Sequence, residues 1–391
     1  MPHSNLAIRY NYHLDEIKPN NILTFNQEIS SIPDIVKLTL GEPDFNVPEI
    51  GKQAAIASIE NNDSHYAPGT GSVALRKAIA DFLKVRYQLT YSPDQEIVVT
   101  IGATEAIYAS LNALLNPGDK VLIPTPTFPL YETVVRMLGG VPINLDTSSN
   151  NFVLSPAMVK AALDEYGPAV KAVILNYPSN PTGVTYSASD LQALAEVLAQ
   201  SKAVVIADEI YSELLYDGQH VSIATYLPEQ TLVLNGASKS HAMTGYRIGF
   251  IAGPTEIMQK VSLVHNLMIT SPSDPAMAAA VPCFGTETGR QASVEMRAAY
   301  QIRRDYMVEE LTNLGFTVAK PNGAFYIFAQ IPRQFGSDDV QFARDLAQEA
   351  QVATIPGSFF GPGGEGYLRM SYATSLDDLK TAISRIQNFL N

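Results

Sequence analysis

Four side chains in two short segments could act together on a carbonyl compound. Asp208 ends the apolar run VVIAD, and Tyr211 follows three residues later in DEIYSEL. Lys239 lies in NGASKSHAMTGYR just after TLVLN, beside the small residues Gly236, Ala237 and Ser238, and Arg247 follows eight residues on. An amine enclosed by small neighbours loses water, which lowers its pKa and exposes the neutral form that condenses with a carbonyl. A planar guanidinium offers paired donors to an anion. A carboxylate at the carboxyl end of a buried strand lies where open α/β sheets bind their ligands. Two of them also have a plainer reading: Asp208 as a helix cap and Lys239 as an exposed loop lysine.

Three further segments carry polar groups that a ligand could use. NYPSNPTG at 176–183 specifies a rigid turn from which Asn180 could donate to a ligand oxygen. In TIGATEAIYAS, Gly102 permits a tight turn, and Ala103 and Thr104 open a helix whose free N–H groups suit a phosphate or serve only as a helix start. Arg369, in the alternating segment GYLRMSYAT, needs an anion or a salt-bridge partner; a substrate carboxylate is one answer. PNGAFY at 321–326 and PGSFFGPGGEG at 356–366 are turn-rich and could line an entrance. GPGGEG satisfies the dinucleotide pattern G-x-G-x-x-G, but only 25 residues follow it and the next segment alternates like a strand, so no βαβ unit fits. There is no P-loop motif, and His241 lacks the partners of a metal cluster, so it reads as local packing and no metal is expected.

The elements that must position these groups are legible in the hydrophobic pattern. IVKLTL at 35–40 reads as a short strand, and Ser72 to Arg86 as an amphipathic helix with Val73, Leu75, Ile79, Phe82 and Leu83 near one stripe. EIVVT, KVLIP, GGVPINL, AVKAVILN, KAVVIAD and QTLVLN are short β-branched runs separated by helical segments at 103–115, 129–138, 155–165 and 187–200. That alternation predicts a mainly parallel sheet with helices on both faces. The pattern breaks after YRIGFIAG at 246–253, where helical segments at 254–266, 274–284 and about 291–314 lead into an α+β remainder. The expected organisation is a large α/β domain over 46–287 and a small α+β domain formed by 1–45 plus 288–391, closing over the site.

The chain has 391 residues, 46% of them apolar, enough for a large core. Twenty-six Lys and Arg against 39 Asp and Glu give a net charge of −13, which argues against a broad phosphate-binding face; nucleic acid is not an expected partner. The single cysteine, Cys283, excludes an intramolecular disulfide and a multi-cysteine zinc site. No apolar run approaches the roughly 20 residues that cross a bilayer, and the first residues lack a secretion signal. The expectation is a cytoplasmic protein without membrane association.

Taken in order, Asn180 in YPSNPTG, Asp208 and Tyr211 in DEIY, Lys239 and Arg247 in SKSHAMTGYR, and Arg369 in YLRMSYA resemble the fold-type I pyridoxal-phosphate aminotransferases of class I/II, from LTLGEPDF to the end of the chain. The resemblance implies a mainly parallel seven-stranded sheet sandwiched by helices, with the smaller α+β domain beside it. It implies pyridoxal 5'-phosphate held by Lys239 as an imine, Asp208 on the pyridine nitrogen, and Asn180 with Tyr211 on the phenolic oxygen. Lys239 would also shuttle the proton at the substrate α-carbon, with Asp208 and Tyr211 completing the catalytic set. Ala103, Thr104, Ser238 and Arg247 resemble the phosphate cradle, and Tyr66 in HYAPGTG the tyrosine that reaches the neighbouring subunit's site in a homodimer. Phe128 in PTPTFPLY matches the aromatic residue that stacks on the ring; core packing is its plainer role. Arg369 resembles the clamp on the substrate α-carboxylate, with Gly41 in LGEPDF near it. The pattern departs at Gly236, where some aspartate aminotransferases place a phosphate-binding serine, and no arginine matches the family's side-chain carboxylate site. The expected reaction is transfer of an amino group from an aromatic or broad range of L-amino acids to a 2-oxo acid such as 2-oxoglutarate. The alternatives are transamination of N-acetyl-L,L-diaminopimelate and a fold-type I lyase.

Overall fold

The computed structural model describes residues 11–14, 17 and 21–391. Strands β1 (Val36–Lys37), β2 (Ile97–Ile101), β3 (Lys120–Thr125), β4 (Val141–Asp146), β5 (Val170–Asn176), β6 (Val204–Asp208), β7 (Thr231–Gly236) and β8 (Ile248–Ala252) precede a second group. That group is β9 (Thr317–Val318), β10 (Tyr326–Gln330), β11 (Val352–Ala353), β12 (Ile355–Pro356) and β13 (Tyr367–Ser371).

The main sheet has seven strands in the order β2-β8-β7-β6-β5-β3-β4. The ladders from β7 to β4 are parallel, whereas β8 runs antiparallel to both β2 and β7. The α/β expectation holds, with one reversed strand. Strands such as β7, buried at every position, must be covered on both faces. Helices α1 (Asn21–Ile29), α2 (Glu49–Glu60), α3 (Val73–Tyr87), α4 (Gly102–Leu114), α5 (Leu130–Met137), α6 (Pro156–Tyr166) and α7 (Ala188–Leu198) come first, and most of them provide that cover. The short α8 (Ala237–Ser240) follows β7, then α9 (Thr255–Ile269) and α10 (Asp274–Gly285). The β6 to β7 crossover has no α-helix; three 3-10 turns between Ser212 and Gln230 carry it.

The α3 stripe buries Leu75, Ile79, Phe82 and Leu83, but Val73 is 44% exposed, because it sits in the first turn directly after the Ser72 cap and faces outward. The expected strand at 35–40 shortens to β1, which pairs in parallel with β11. Beyond Lys37 the chain stays extended without a ladder, since the carbonyls of Thr39 and Gly41 turn to side chains of the site.

The remaining long helices are α11 (Glu287–Asn313), α12 (Asp339–Glu349) and α13 (Leu376–Leu390). Helix α11 starts four residues earlier than its hydrophobic period suggests, because Thr286 caps it by accepting from the Gly289 N–H at 3.0 Å. It spans two environments: Ser293 donates to Glu213 at 2.9 Å beside the main sheet, while Met307 and Leu311 pack among Phe316, Phe328 and Phe342. A four-stranded sheet, β12-β13-β10-β9, lies in that second core, which also takes in Phe25, Ile29 and Leu38 from the N-terminal segment. Truncating a fully buried aromatic there, such as Phe328, costs about 3–5 kcal/mol.

Candidate active site

The carboxyl ends of β2, β5, β6 and β7 and the start of the reversed β8 meet at one edge of the main sheet, where the chain folds into a cleft of about 520 Å³. Gly41, Ala103, Thr104, Phe128, Asn180, Asp208, Tyr211, Ser238, Lys239, Arg247 and Arg369 all line it. Reversal of β8 is what brings Arg247, just before that strand, to the same edge as Asp208 at the end of β6. Tyr66 stands apart, 90% exposed, on a separate surface cleft of about 710 Å³ between residues 50–74 and 274–282.

Asp208 is 3% exposed. Its Oδ2 accepts from the Tyr131 hydroxyl at 2.6 Å and its Oδ1 from the Ile210 N–H at 3.2 Å. Burial pushes its pKa up to about 6, against the pull of these two donors. Asn176 donates to the Asp208 carbonyl at 3.0 Å and accepts from the Asn180 N–H at 2.9 Å, so one amide ties the two strand ends together.

Lys239 is half-buried in α8, where Nζ donates to the Gly41 carbonyl. Burial drives its pKa down to about 8; Glu42 opposes that drop, and Arg247 and Arg369 reinforce it. The amine therefore reaches its neutral, nucleophilic form far more readily than a solvated lysine. Gly236, two residues before α8's Ser238, has no room for a side chain: a Cβ would lie 2.6 Å from the Ile248 carbonyl and 2.9 Å from Gly249 Cα. The departure from the serine pattern thus follows from close packing of β7 on β8.

Arg247 adopts φ +55° and donates to the Thr244 carbonyl at 2.9 Å. Its guanidinium lies across Gly102, where a Cβ would approach Nη2 to 2.5 Å, so a glycine with φ +68° is required there. Beside it, α4 begins, and the first N–H groups of a helix have no partner within it. A cation and a helix end side by side are the kind of groups that can bind an anion.

Arg369 is 4% exposed and has no carboxylate partner among the described residues. Nη1 donates to Asn180 Oδ1 at 3.2 Å and Nη2 to the Thr39 carbonyl at 2.8 Å, while Nε is buried without a partner. The guanidinium sits over the Tyr326 ring at 4.6 Å and the Phe360 ring at 5.0 Å. The Tyr326 hydroxyl in turn lies 2.9 Å from that of Tyr211, whose phenol is held well above its ordinary pKa by burial.

Sequence reasoning missed Tyr131, Tyr326, Asn176, Glu42 and Thr244 as lining residues, and the Thr39 carbonyl as a partner. Tyr326 ends PNGAFY, read only as an entrance, and Tyr131 follows Phe128 by three residues; nothing in the local pattern marks a carbonyl such as that of Thr39. His241 is buried and bonded to Ser240 Oγ at 2.8 Å, as local packing. Among the described residues, no group of three or more His, Cys, Asp and Glu could hold a metal ion, and no helix is long and apolar enough to cross a membrane.

A family profile described as "Aminotransferase class I and II" matches residues 33–386. The chain is 40% identical over 375 residues to a probable N-acetyl-LL-diaminopimelate aminotransferase of Bacillus subtilis, covering 96% of this chain and 94% of the relative. It is 35% identical over 382 residues to an aromatic-amino-acid aminotransferase 2 of Thermococcus litoralis, covering 96% and 97%. The solved structure of aspartate aminotransferase from Thermus thermophilus with maleate superposes with a TM-score of 0.92 at 35% identity, covering 98% of this chain and all of that one.

Proposed function

Because the chain belongs to the class I and II aminotransferases, enzymes that depend on pyridoxal phosphate, we propose that its cleft holds pyridoxal 5'-phosphate and moves an amino group from an L-amino acid to a 2-oxo acid such as 2-oxoglutarate. Aromatic or broad-range donors are favoured. The residues present suit that cofactor: a buried acid for the ring nitrogen, an amine for the carbonyl carbon, hydroxyl and amide groups for the phenolic oxygen, and a cation with a helix end for the phosphate. When bound, the cofactor supplies a carbonyl carbon that takes up the amino group and a ring that withdraws electrons from the substrate Cα.

The protein's own groups do the rest. Asp208, already oriented by Tyr131 and Ile210, holds a proton on the ring nitrogen by pairing with it. Asn180 and Tyr211 hydrogen-bond the phenolic oxygen, and Phe128 packs on the ring face. Arg247, Ser238 and the N–H groups of Ala103 and Thr104 bind the phosphate. Lys239 Nζ holds the cofactor and, once displaced by substrate, takes the proton from the substrate Cα and returns it during transfer. Arg369 grips the α-carboxylate, orienting the Cα–H bond toward Nζ, with Gly41 beside it.

The observation that carries this reading is the buried Arg369 fork, one nitrogen unsatisfied and no acid paired with it among the described residues, in the same cleft as an amine whose pKa is lowered to about 8. A buried cation without an anion is costly, and a substrate carboxylate resolves it. Replacing Lys239 by Ala tests the assignment: loss of steady-state transamination with every amino acid is expected, and retained turnover refutes it.

Pairing to a second copy completes the proposal. The exposed Tyr66, with Ile56 and Ile59 exposed on the neighbouring α2, suits a homodimer in which Tyr66 reaches the other subunit's phosphate. Residues 46–287 would form the large domain, and the rest the small domain that closes over it. A cytoplasmic enzyme belongs to the same reading, in keeping with one buried cysteine. The Bacillus subtilis relative favours N-acetyl-L,L-diaminopimelate as a second candidate substrate. Comparing kcat/KM for phenylalanine, tyrosine, aspartate and the acetylated diamino acid separates the two.

A further inference from the structure

Behind the cleft lies a buried pair that the reaction does not use directly. His265 on α9 is fully buried, and Glu105, in the first turn of α4, is 7% exposed. His265 Nδ1 lies 2.6 Å from Glu105 Oε1, and Nε2 lies 2.6 Å from the Gly69 carbonyl oxygen. Glu105 Oε2 accepts from the Ile101 N–H at 2.5 Å, which fastens the end of β2 to the start of α4.

The proton count follows from these partners. A carbonyl oxygen has no hydrogen to give, so Nε2 carries one and donates it. The contact between Nδ1 and a carboxylate oxygen needs one more, held by either atom. In both arrangements the imidazole and the carboxyl group sum to zero charge.

That neutrality matters because of where Glu105 stands. A carboxylate in the first turn of a helix draws on the same positive helix end that a phosphate uses, and two anions at one end repel. Ala103 and Thr104, two and one residues before Glu105, present that end to the cleft beside Arg247. The imidazole also holds the 66–71 loop against α9 through the Gly69 carbonyl.

We propose that His265 is a positioning residue for the phosphate end of the site: it cancels the Glu105 charge, so that the α4 end and Arg247 act on the phosphate alone, and it locks the start of α4 to the loop carrying Tyr66. This rests on the pyridoxal phosphate reading above.

The test compares binding of pyridoxal phosphate and of pyridoxal, which lacks the phosphate, to cofactor-stripped enzyme by fluorescence titration. In His265→Gln the Glu105 charge stands uncompensated; pyridoxal phosphate should bind about tenfold or more weakly while pyridoxal changes by less than about twofold. Adding Glu105→Gln removes the charge and should restore most of the lost affinity. Equal losses for both ligands, or a double variant weaker than the single one, would overturn the proposal, since packing damage accumulates and charge balance does not. If His265→Gln fails to fold, the double variant decides alone: a preference for the phosphorylated ligand close to that of the wild type supports the proposal, and its loss overturns it. A wild-type protein that binds both ligands equally would instead defeat the cofactor reading, and the proposal with it.

Discussion

In the cofactor-free protein, Asp208→Asn should be stabilising even though it should abolish the proposed reaction. The folded chain holds this carboxyl group at a pKa of about 6, up from 3.8, chiefly because it is buried. Between pH 4 and 6 the folded state therefore binds more protons than the unfolded one, and stability falls as pH rises through that window. Two pH units correspond to about 3 kcal/mol, which the ionised carboxylate costs the fold at neutral pH. Asparagine mimics the neutral acid, retains an acceptor for Tyr131 and does not titrate. Allowing about 1 kcal/mol at every pH for an amide N–H group that lacks a good acceptor, the variant should gain about 2 kcal/mol at pH 7.5 and lose about 0.5 kcal/mol at pH 4. Urea unfolding of both proteins at each pH, at one protein concentration, measures the difference. A difference that does not change with pH, or a variant less stable than wild type at pH 7.5, would refute the idea that this acid is kept charged at the expense of the fold until a cationic ring pairs with it.

Three other substitutions probe the remaining contacts. Tyr326→Phe removes the hydroxyl 2.9 Å from Tyr211 and should shift the visible titration of the bound cofactor by up to about one pH unit; an unmoved titration contradicts the link. Arg369→Lys keeps the charge but loses the fork, so kcat/KM for amino donors should fall roughly a hundredfold, and a change below twofold would remove Arg369 from the carboxylate site. Gly236→Ser, which some relatives' pattern would suggest as an added phosphate ligand, should instead destabilise by about 1–3 kcal/mol, because its Cβ meets the Ile248 carbonyl at 2.6 Å. A thermal melt matching wild type would show that β7 and β8 yield there.

What the amino-acid pattern revealed depended on how locally each feature is encoded. Asp208 and Lys239 were legible because each follows a buried β-branched run and keeps small or turn-forming neighbours, and a strand end is where such a sheet exposes functional groups. Tyr131 was not, since its role comes from a bond to a carboxylate 77 residues away. Direction was equally hidden: β8 is as apolar as its parallel neighbours, and a strand buried on both faces has the same composition whichever way it runs. The pattern offers no helical segment between β6 and β7, and the structure has no α-helix there: the segment after Asp208 makes side-chain contacts instead, with Glu209 bonded to Tyr177, His220 and Ser222. His265 and Glu105 lie in unremarkable helical segments and acquire meaning only across 160 residues.

The Thr39 carbonyl that steadies Arg369 is separated from it by 330 residues of chain. On a ribosome, the segment holding Thr39 emerges long before its partner exists, and β1 waits similarly for β11. The main sheet can condense from successive neighbours meanwhile, but the Arg369 contact with Thr39 forms only as synthesis nears its last turns. Contacts so distant in sequence are slow to close and leave early apolar segments uncovered. An interrupted translation product would thus carry Lys239 and Asp208 yet lack Arg369, and Phe25, Ile29 and Leu38, deprived of their core, would make it a substrate for chaperones before it was ever an enzyme.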